Sequence, residues 1–210
     1  MEWVKAVRKI CDEKGILLIA DEVQTGFARS GKMFASEYWA ESDCAPDILT
    51  SAKSIAGGVP LSAVTTRAEI MDKVPAGTIG GTYCGNALAC AAALAVIDIM
   101  EKEDFPGKAL RISEKVMGVW KQWQEKYDVI GDVRGIGCMM GIEFVKDKET
   151  KEPHVELVNN IVQEAVKHGL LLESAGTYGN VIRFLAPLVI TEEQVDKGLE
   201  IYENAIKASL

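Results

Sequence analysis

The sequence lacks the features that mark secreted or membrane-embedded chains. Its five cysteines are scattered and never form a Cys-x-x-Cys pair, which favours a reduced, cytoplasmic chain without structural zinc. The longest informative apolar run, residues 87–97, ends at Asp98 and is shorter than the roughly 18 residues of a membrane span. The first residues include no basic segment followed by an apolar one, so no secretion signal is predicted.

Positive charge and histidine are also scarce. The chain has 23 Lys and Arg against 31 Asp and Glu, a formal net charge of −8, and such a chain repels the phosphate backbone of nucleic acids. Its two histidines, His154 and His168, lie outside any metal-ligand spacing, so no metal site is expected. With 48% hydrophobic and 26% charged residues in 210, the composition is that of a globular chain with a sizeable core, in one large domain or two small ones.

Hydrophobic patterning in the first half predicts alternating helices and strands. A helix is expected over residues 1–14, ended by Gly15, followed by an apolar run at 16–20 of the kind that fills a parallel sheet covered on both faces. Further strands are expected at 48–50 and 61–66. Residues 86–100 are apolar on nearly all sides, which predicts a helix buried between layers. The pattern indicates an α/β fold.

A domain boundary is predicted at residues 103–107, where charge, proline and glycine coincide. It divides the chain into domains 1–105 and 106–210. The second domain is expected to be α+β, with Thr191 and Gln194 forming a capping box on its last helix. Its predicted helices are 108–127, 155–167 and 192–208, and its predicted strands are 129–134, 138–144, 170–172 and 181–185.

Asp21 and Lys53 are the first candidates for chemistry. Asp21 directly follows the predicted strand 16–20, at the end where open α/β sheets bind ligands; an acid there can equally cap a helix or anchor a loop. Lys53 is the only charged residue between Asp47 and Arg67. Most lysines are solvated surface groups, but a lysine among small uncharged neighbours is expected to be desolvated, which lowers its pKa and makes the amine a nucleophile.

These two residues form the pair that a pyridoxal phosphate enzyme requires. A lysine amine bonds to the aldehyde of the cofactor, and a carboxylate keeps the pyridine nitrogen protonated so that the ring can take up electrons. Arg183, the only arginine after Arg134, stands within the apolar residues 181–185. There a guanidinium can clamp a substrate carboxylate with two parallel hydrogen bonds, or it can extend to water from an edge strand.

Four sequence blocks together resemble the class III aminotransferases, and most of all their 4-aminobutyrate branch. The blocks are IADEVQTG at residues 19–26, AKSIAGG at 52–58, GGTYCGN at 80–86 and NVIR at 180–183. The resemblance runs along the whole chain. It implies fold type I of the pyridoxal-phosphate-dependent transferases, with residues 1–105 as the carboxyl-terminal part of the large cofactor-binding domain and 106–210 as the small domain.

The resemblance also implies roles for individual residues. Lys53 would bond to the cofactor and carry the proton, Asp21 would pair with the pyridine nitrogen, and Val23 and Gln24 would lie against the ring and near its phenolic oxygen. Thr82 would bind the phosphate of the cofactor in the neighbouring subunit of a homodimer; without the resemblance, its glycine-rich surroundings indicate only a flexible loop. Arg183 would bind the carboxylate of an amino acid or 2-oxo acid substrate.

Relative to the family, the chain begins in the middle, and the resemblance places a second phosphate-binding turn and the aromatic that stacks on the ring before residue 1. Two hypotheses follow. Either the chain is the carboxyl-terminal half of a transaminase that transfers an amino group from an ω-amino acid such as 4-aminobutyrate to 2-oxoglutarate, or it is an inert fragment or interaction module of the family. Related decarboxylases and aminomutases share the lysine and the aspartate, so the reaction itself stays open.

Overall fold

The computed structural model describes residues 1–210 and divides into two compact units, Met1–Pro106 and Gly107–Leu210. The first unit contains helices α1 (Glu2–Lys14), α2 (Glu37–Ala40), α3 (Ala68–Met71) and α4 (Ala87–Lys102), strands β1 (Ile19–Asp21), β2 (Ile48–Ser51) and β3 (Ala63–Thr66), and a 3-10 helix at Lys53–Ala56. Gly15 ends α1 in the left-handed conformation, with φ of 63°, as its position predicted.

The sheet of the first unit has the strand order β1-β2-β3. Strands β1 and β2 are parallel, with Asp21 opposite Thr50, whereas β2 and β3 are antiparallel. The buried carboxylate of Asp47 fixes the residue directly before β2. It accepts the Leu18 backbone N–H at 2.8 Å and pairs with Arg8 and Arg67 at 2.9 and 3.0 Å. The Leu18 N–H, followed by the Arg8 guanidinium, lowers the pKa of Asp47 below its usual value.

Two expectations about burial in this unit are wrong for the chain itself. The first strand begins at Ile19 rather than residue 16, because the Leu18 N–H bonds to the Asp47 side chain instead of a neighbouring strand. Ile19 is 56% exposed, so β1 is not covered on both faces.

Helix α4 buries Ala89, Ala93 and Met100 but leaves Leu88 and Leu94 71% and 69% exposed. Within the described chain α4 therefore packs by one face only.

The second unit contains helices α5 (Phe105–Lys126), α6 (Val155–Lys167) and α7 (Glu192–Ser209) and strands β4 (Ile130–Ile136), β5 (Met139–Phe144), β6 (Glu173–Ala175) and β7 (Val181–Arg183). Helix α5 begins at Phe105, which belongs to the first unit. Its sheet has the order β4-β5-β7-β6, and every neighbouring pair is antiparallel. Both bonds of the capping box between Thr191 and Gln194 are present, which confirms that prediction.

Side chains from α5, α6 and α7 share one core with the sheet of this unit. Trp120 and Trp123 are buried in it and both meet the Tyr202 ring edge-on, with ring centroids 6.2 and 5.4 Å apart, so both indole rings pack within the fold. Burial raises the pKa of Tyr202 well above its usual value. The strand expected at residues 170–172 is displaced to Glu173–Ala175, because the Leu170 N–H bonds back to Ala165 O at the end of α6.

Glu203 on α7 links that helix to the end of α5 and makes the stability of this unit depend on pH. Its carboxylate accepts from Lys126 Nζ at 2.7 Å and the Tyr127 hydroxyl at 2.9 Å, and pairs with Lys207 at 3.1 Å. The Lys126 ammonium first, then the Tyr127 hydroxyl, lowers the pKa of Glu203 to about 2. The lowered pKa means that this stabilisation is complete above the unfolded pKa of about 4.3 and is lost as pH falls towards 2.

Glu203→Gln is therefore expected to lower the free energy of unfolding by about 1 to 2 kcal/mol at pH 7, with little effect near pH 2. Urea titrations between pH 7 and pH 2 would show the difference from wild type shrinking as the pH falls. Glu200→Gln is the matched control, because Glu200 pairs only with Lys197 on the exposed face of α7. A pH-independent loss for Glu203→Gln would contradict the assignment.

Candidate functional site

The candidate site lies at the carboxyl edge of the two parallel strands β1 and β2. Asp21 is the last residue of β1, and Lys53 follows β2 by two residues, as the first residue of the 3-10 helix. Asp21 is opposite Thr50 in the sheet register. Since parallel strands end at the same edge of a sheet, the carboxylate and the amine belong to one edge of this unit.

Asp21 is held by a short local turn. Its Oδ1 atom accepts the Val23 backbone N–H at 3.0 Å, while the residue itself is exposed at the end of the strand. The bond fixes the side chain against its own backbone, and the Oδ2 atom can accept a hydrogen bond from a ligand. Val23 is half-buried and Gln24 is exposed.

Lys53 is exposed, so the desolvation expected from its small, uncharged neighbours is not found in this chain: small side chains leave the amine uncovered. Its backbone has a φ of 50°, in the left-handed region that costs a residue with a Cβ roughly 1 kcal/mol or more. The 3-10 helix is anchored by buried Ile55 and Ala56 and ends at Gly57, which has a φ of 58°. A Cβ at Gly57 would come within 3.0 Å of Val96 on α4, so the glycine allows this close packing.

Thr82 lies in the loop before α4. The Cys84 N–H bonds to Gly81 O at 3.0 Å across the turn that contains it, and the Thr82 side chain is exposed. Asn86 ends the loop and caps α4, with its side-chain oxygen accepting the N–H groups of Leu88 and Ala89 at 3.0 and 3.2 Å. The glycine-rich loop therefore leads directly into a capped helix, and it presents a hydroxyl that could bind a phosphate oxygen.

Arg183 belongs to the second unit, whereas the other five predicted site residues belong to the first. It is the last residue of β7, and its Nη2 atom pairs with Glu173 Oε1 at 2.8 Å across the β6–β7 pair. The side chain is 26% exposed. A carboxylate ligand of this guanidinium would share it with Glu173 or displace Glu173 from it. Sequence reasoning missed this pair, because β6 was expected three residues earlier.

Glu22 is a further residue that sequence reasoning missed. It is only 2% exposed and accepts backbone N–H groups from Ala35 at 3.0 Å and Ser36 at 2.5 Å. Strand alternation could have revealed it: Ile19 and Asp21 are on the exposed side of β1, so Glu22 continues the buried side of Ala20.

Comparison with known proteins identifies what this arrangement resembles. The family model described as "Aminotransferase class-III" matches residues 1–206. The 5-aminovalerate aminotransferase DavT of Pseudomonas putida is 48% identical over 97% of this chain and 47% of its own length. The 4-aminobutyrate aminotransferase GabT of Escherichia coli is 47% identical over 95% of this chain and 46% of its own length.

Solved structures give the same result. The crystal structure of an amine transaminase from an uncultivated Pseudomonas species, described as PLP-bound, superimposes with a TM-score of 0.88 at 37% identity, over all of this chain and 48% of that one. The expected α/β fold of pyridoxal-phosphate-dependent transferases is thereby confirmed. The chain spans about half the length of the curated relatives that it matches. None of its helices is long and apolar enough to cross a membrane.

Proposed function

We propose, from the premise that this chain belongs to the class III aminotransferase family, that it acts as a pyridoxal-phosphate-dependent transaminase of ω-amino acids. The observation that carries the proposal is the family match over residues 1–206, together with a carboxylate and an amine that follow neighbouring parallel strands at Asp21 and Lys53. The amino donor is an ω-amino acid such as 4-aminobutyrate, and the acceptor is 2-oxoglutarate. The names of the relatives support the donor class.

The residues of the first unit fit pyridoxal 5′-phosphate. Asp21 offers a carboxylate oxygen to the ring nitrogen and Lys53 offers an exposed amine to the aldehyde carbon, while Thr82 offers an exposed hydroxyl to the phosphate of the neighbouring subunit's cofactor. Val23 would contact the ring and Gln24 its phenolic oxygen. When bound, the cofactor supplies a ring that withdraws electrons from the bonds at the amine-bearing carbon of the substrate.

The chain's own residues perform the remaining work. Lys53 would hold the cofactor through its amine, and the same amine would accept the proton from the amine-bearing carbon of the substrate. Asp21 would offer its carboxylate to the ring nitrogen and so favour the protonated ring. Arg183 binds the substrate carboxylate and thus orients the reacting carbon. Over the complete cycle, the donor amine becomes an aldehyde and 2-oxoglutarate becomes glutamate.

The domain assignment and the assembly are parts of the same proposal. We assign residues 1–105 to the carboxyl-terminal part of the cofactor-binding domain and 106–210 to the small domain, which the compact units Met1–Pro106 and Gly107–Leu210 support. The assembly is a homodimer in which Thr82 reaches the cofactor phosphate of the neighbouring subunit, and its exposed loop supports that reach. Five free thiols support a cytoplasmic location.

Amino transfer can be tested with ¹⁵N-labelled 4-aminobutyrate, 2-oxoglutarate and pyridoxal phosphate. The proposal predicts ¹⁵N-glutamate by mass spectrometry, formed in an amount equal to the aldehyde product. Carbon dioxide release without labelled glutamate would indicate a decarboxylase, and a shifted amino group on the original carbon skeleton would indicate an aminomutase. Either result would contradict transamination.

A second candidate is an inert fragment or interaction module of the family. The observation that favours it is the exposed apolar surface of the first unit, on Ile19 of β1 and on Leu88 and Leu94 of α4, which in a complete domain packs against a further layer. This candidate predicts no labelled glutamate from the 210-residue chain under conditions where a full-length relative is active. Labelled glutamate formed by the chain would exclude it.

Arg183→Ala is expected to raise the KM for 4-aminobutyrate by about 10- to 100-fold, because a bidentate, charge-assisted contact is lost. The affinity for pyridoxal phosphate should change by less than about twofold, since the guanidinium contacts the substrate and not the cofactor. Initial rates and a cofactor titration separate the two effects, with Arg111→Ala on α5 as the control. An equal loss of substrate and cofactor binding would contradict the assignment.

A further inference from the structure

Glu22 connects the end of β1 to both structures that flank it. Its backbone N–H donates to Thr50 O at 2.9 Å, which continues the parallel pairing up to the residues that precede Lys53. Its buried carboxylate accepts the N–H groups of Ala35 and Ser36 and the hydroxyl of Thr25. One residue therefore fixes the segment carrying Asp21, Val23 and Gln24 to β2 on one side and to the loop before α2 on the other.

The loop that Glu22 holds has a strained backbone. Phe27 and Ala28 are buried and have φ values of 55° and 70°, in a region that residues with a Cβ adopt only when their surroundings enforce it. The turn into them is tight: the Gly26 N–H bonds to Glu22 O at 3.0 Å, and a Cβ at Gly26 would come within 2.8 Å of that oxygen. Such a backbone persists only when surrounding contacts hold it, and the buried Glu22 carboxylate supplies these contacts as a hydrogen-bond acceptor.

We infer that Glu22 is a positioning residue for the cofactor: its buried carboxylate holds the 21–24 segment so that Asp21 faces the cofactor ring nitrogen. The inference rests on the proposed function, since it requires a bound pyridoxal phosphate. Glu22 does not touch the cofactor itself. Its side chain points to the buried side of β1, and that of Asp21 points to the exposed side.

Three variants of the 210-residue chain test this role against a general loss of stability. Glu22→Ala removes the acceptor, Glu22→Gln keeps one carbonyl oxygen, and Asp47→Asn is the matched control. Asp47 is likewise a buried acid of the first unit that accepts a backbone N–H group, from Leu18, but it lies at the entrance to β2 and not beside Asp21. Thermal unfolding of each variant sets a temperature at which all are folded.

The first measurement is the dissociation constant of pyridoxal phosphate, from an absorbance titration. We expect Glu22→Ala to weaken binding by about 10- to 100-fold, because this is the size of effect that follows when a hydrogen bond to a charged carboxylate, here that of Asp21, is lost, and Glu22→Gln to weaken it by a smaller factor. Asp47→Asn should bind as wild type does when both are folded. Hydrogen exchange without cofactor should quicken at Ala35 and Ser36 in the Glu22 variants only.

The second measurement is the pH at which the absorbance band of the lysine-bound cofactor changes. When Asp21 no longer stabilises the protonated ring nitrogen, a positive charge is lost from the ring, and the lysine-linked nitrogen keeps its proton to higher pH. The transition should move to higher pH in Glu22→Gln and in Asp21→Asn alike, and it should stay in place in Asp47→Asn. A residue that supports only the fold would not move this transition.

The outcomes separate this role from the proposed function. If wild type binds pyridoxal phosphate while Glu22→Gln matches it in both affinity and pH transition, the positioning role is overturned and the proposed function stands. If Asp47→Asn shows the same losses as the Glu22 variants, the role is likewise overturned. If wild type binds no pyridoxal phosphate, both are overturned. If Glu22→Ala does not fold, Glu22→Gln decides.

Discussion

Replacing Lys53 with alanine is expected to abolish the covalent attachment of pyridoxal phosphate and to lower amino transfer by about 10³-fold or more. The size of the effect follows because one amine has two tasks, as the nucleophile that holds the cofactor and as the base that moves the proton of the amine-bearing carbon. Borohydride reduction followed by intact mass measurement shows the attachment, and formation of ¹⁵N-glutamate shows the transfer.

The control for this experiment is Lys73→Ala. Lys73 is an exposed lysine of the same unit, in the turn after α3, so its loss changes the number of amines without touching the candidate site. It should retain both attachment and transfer. Covalent labelling that persists in Lys53→Ala at the level of wild type would contradict the assignment of Lys53.

Asp21→Asn is expected to leave the cofactor attached and to slow removal of the proton from the amine-bearing carbon of the substrate by about 10²- to 10³-fold. An amide has no negative charge with which to keep the ring nitrogen protonated, so the ring withdraws electrons less strongly. The geometry at the end of β1 should persist, because the asparagine side-chain oxygen can still accept the Val23 N–H.

Deuterium exchange at the amine-bearing carbon of 4-aminobutyrate measures this step directly, since it needs no turnover of the oxo acid. Asp72→Asn is the control, because Asp72 is an exposed acid at the end of α3 in the same unit. Exchange at the wild-type rate in Asp21→Asn would remove Asp21 from the mechanism.

Sequence predicted the elements whose ends carry local signals. Gly15 ended α1, Thr191 and Gln194 started α7, and α6 occupies the predicted residues, because left-handed glycine and capping side chains act within one turn of helix. β6 has no such signal. Its position depends on the last hydrogen bond of α6, from the Leu170 N–H, and on pairing with β7. The residues of β6 themselves determine neither of these two contacts.

Burial was harder to predict than secondary structure. The apolar residues of β1 and α4 indicate layers on both sides, but Ile19, Leu88 and Leu94 are exposed in this chain. A hydrophobic pattern indicates which residues of a segment can be buried, but their burial also requires another layer that packs against them. The exposure of Lys53 has the same basis, since its small neighbours do not cover the amine.

The candidate site was predictable where it depends on strand direction. Two residues that follow neighbouring parallel strands share one sheet edge, and for this reason the sequence alone pairs Asp21 with Lys53. The residues that hold the candidate site residues in place were not predicted. Glu22 depends on hydrogen bonds from Ala35 and Ser36, and the Arg183–Glu173 pair depends on the register of β6 and β7.

The central claim is that Lys53 holds pyridoxal phosphate. The most direct measurement is to mix the purified 210-residue protein with the cofactor, reduce it with borohydride and map the pyridoxyl group by peptide mass. We expect selective labelling of Lys53. Labelling spread over surface lysines, or no labelling at all, would contradict it.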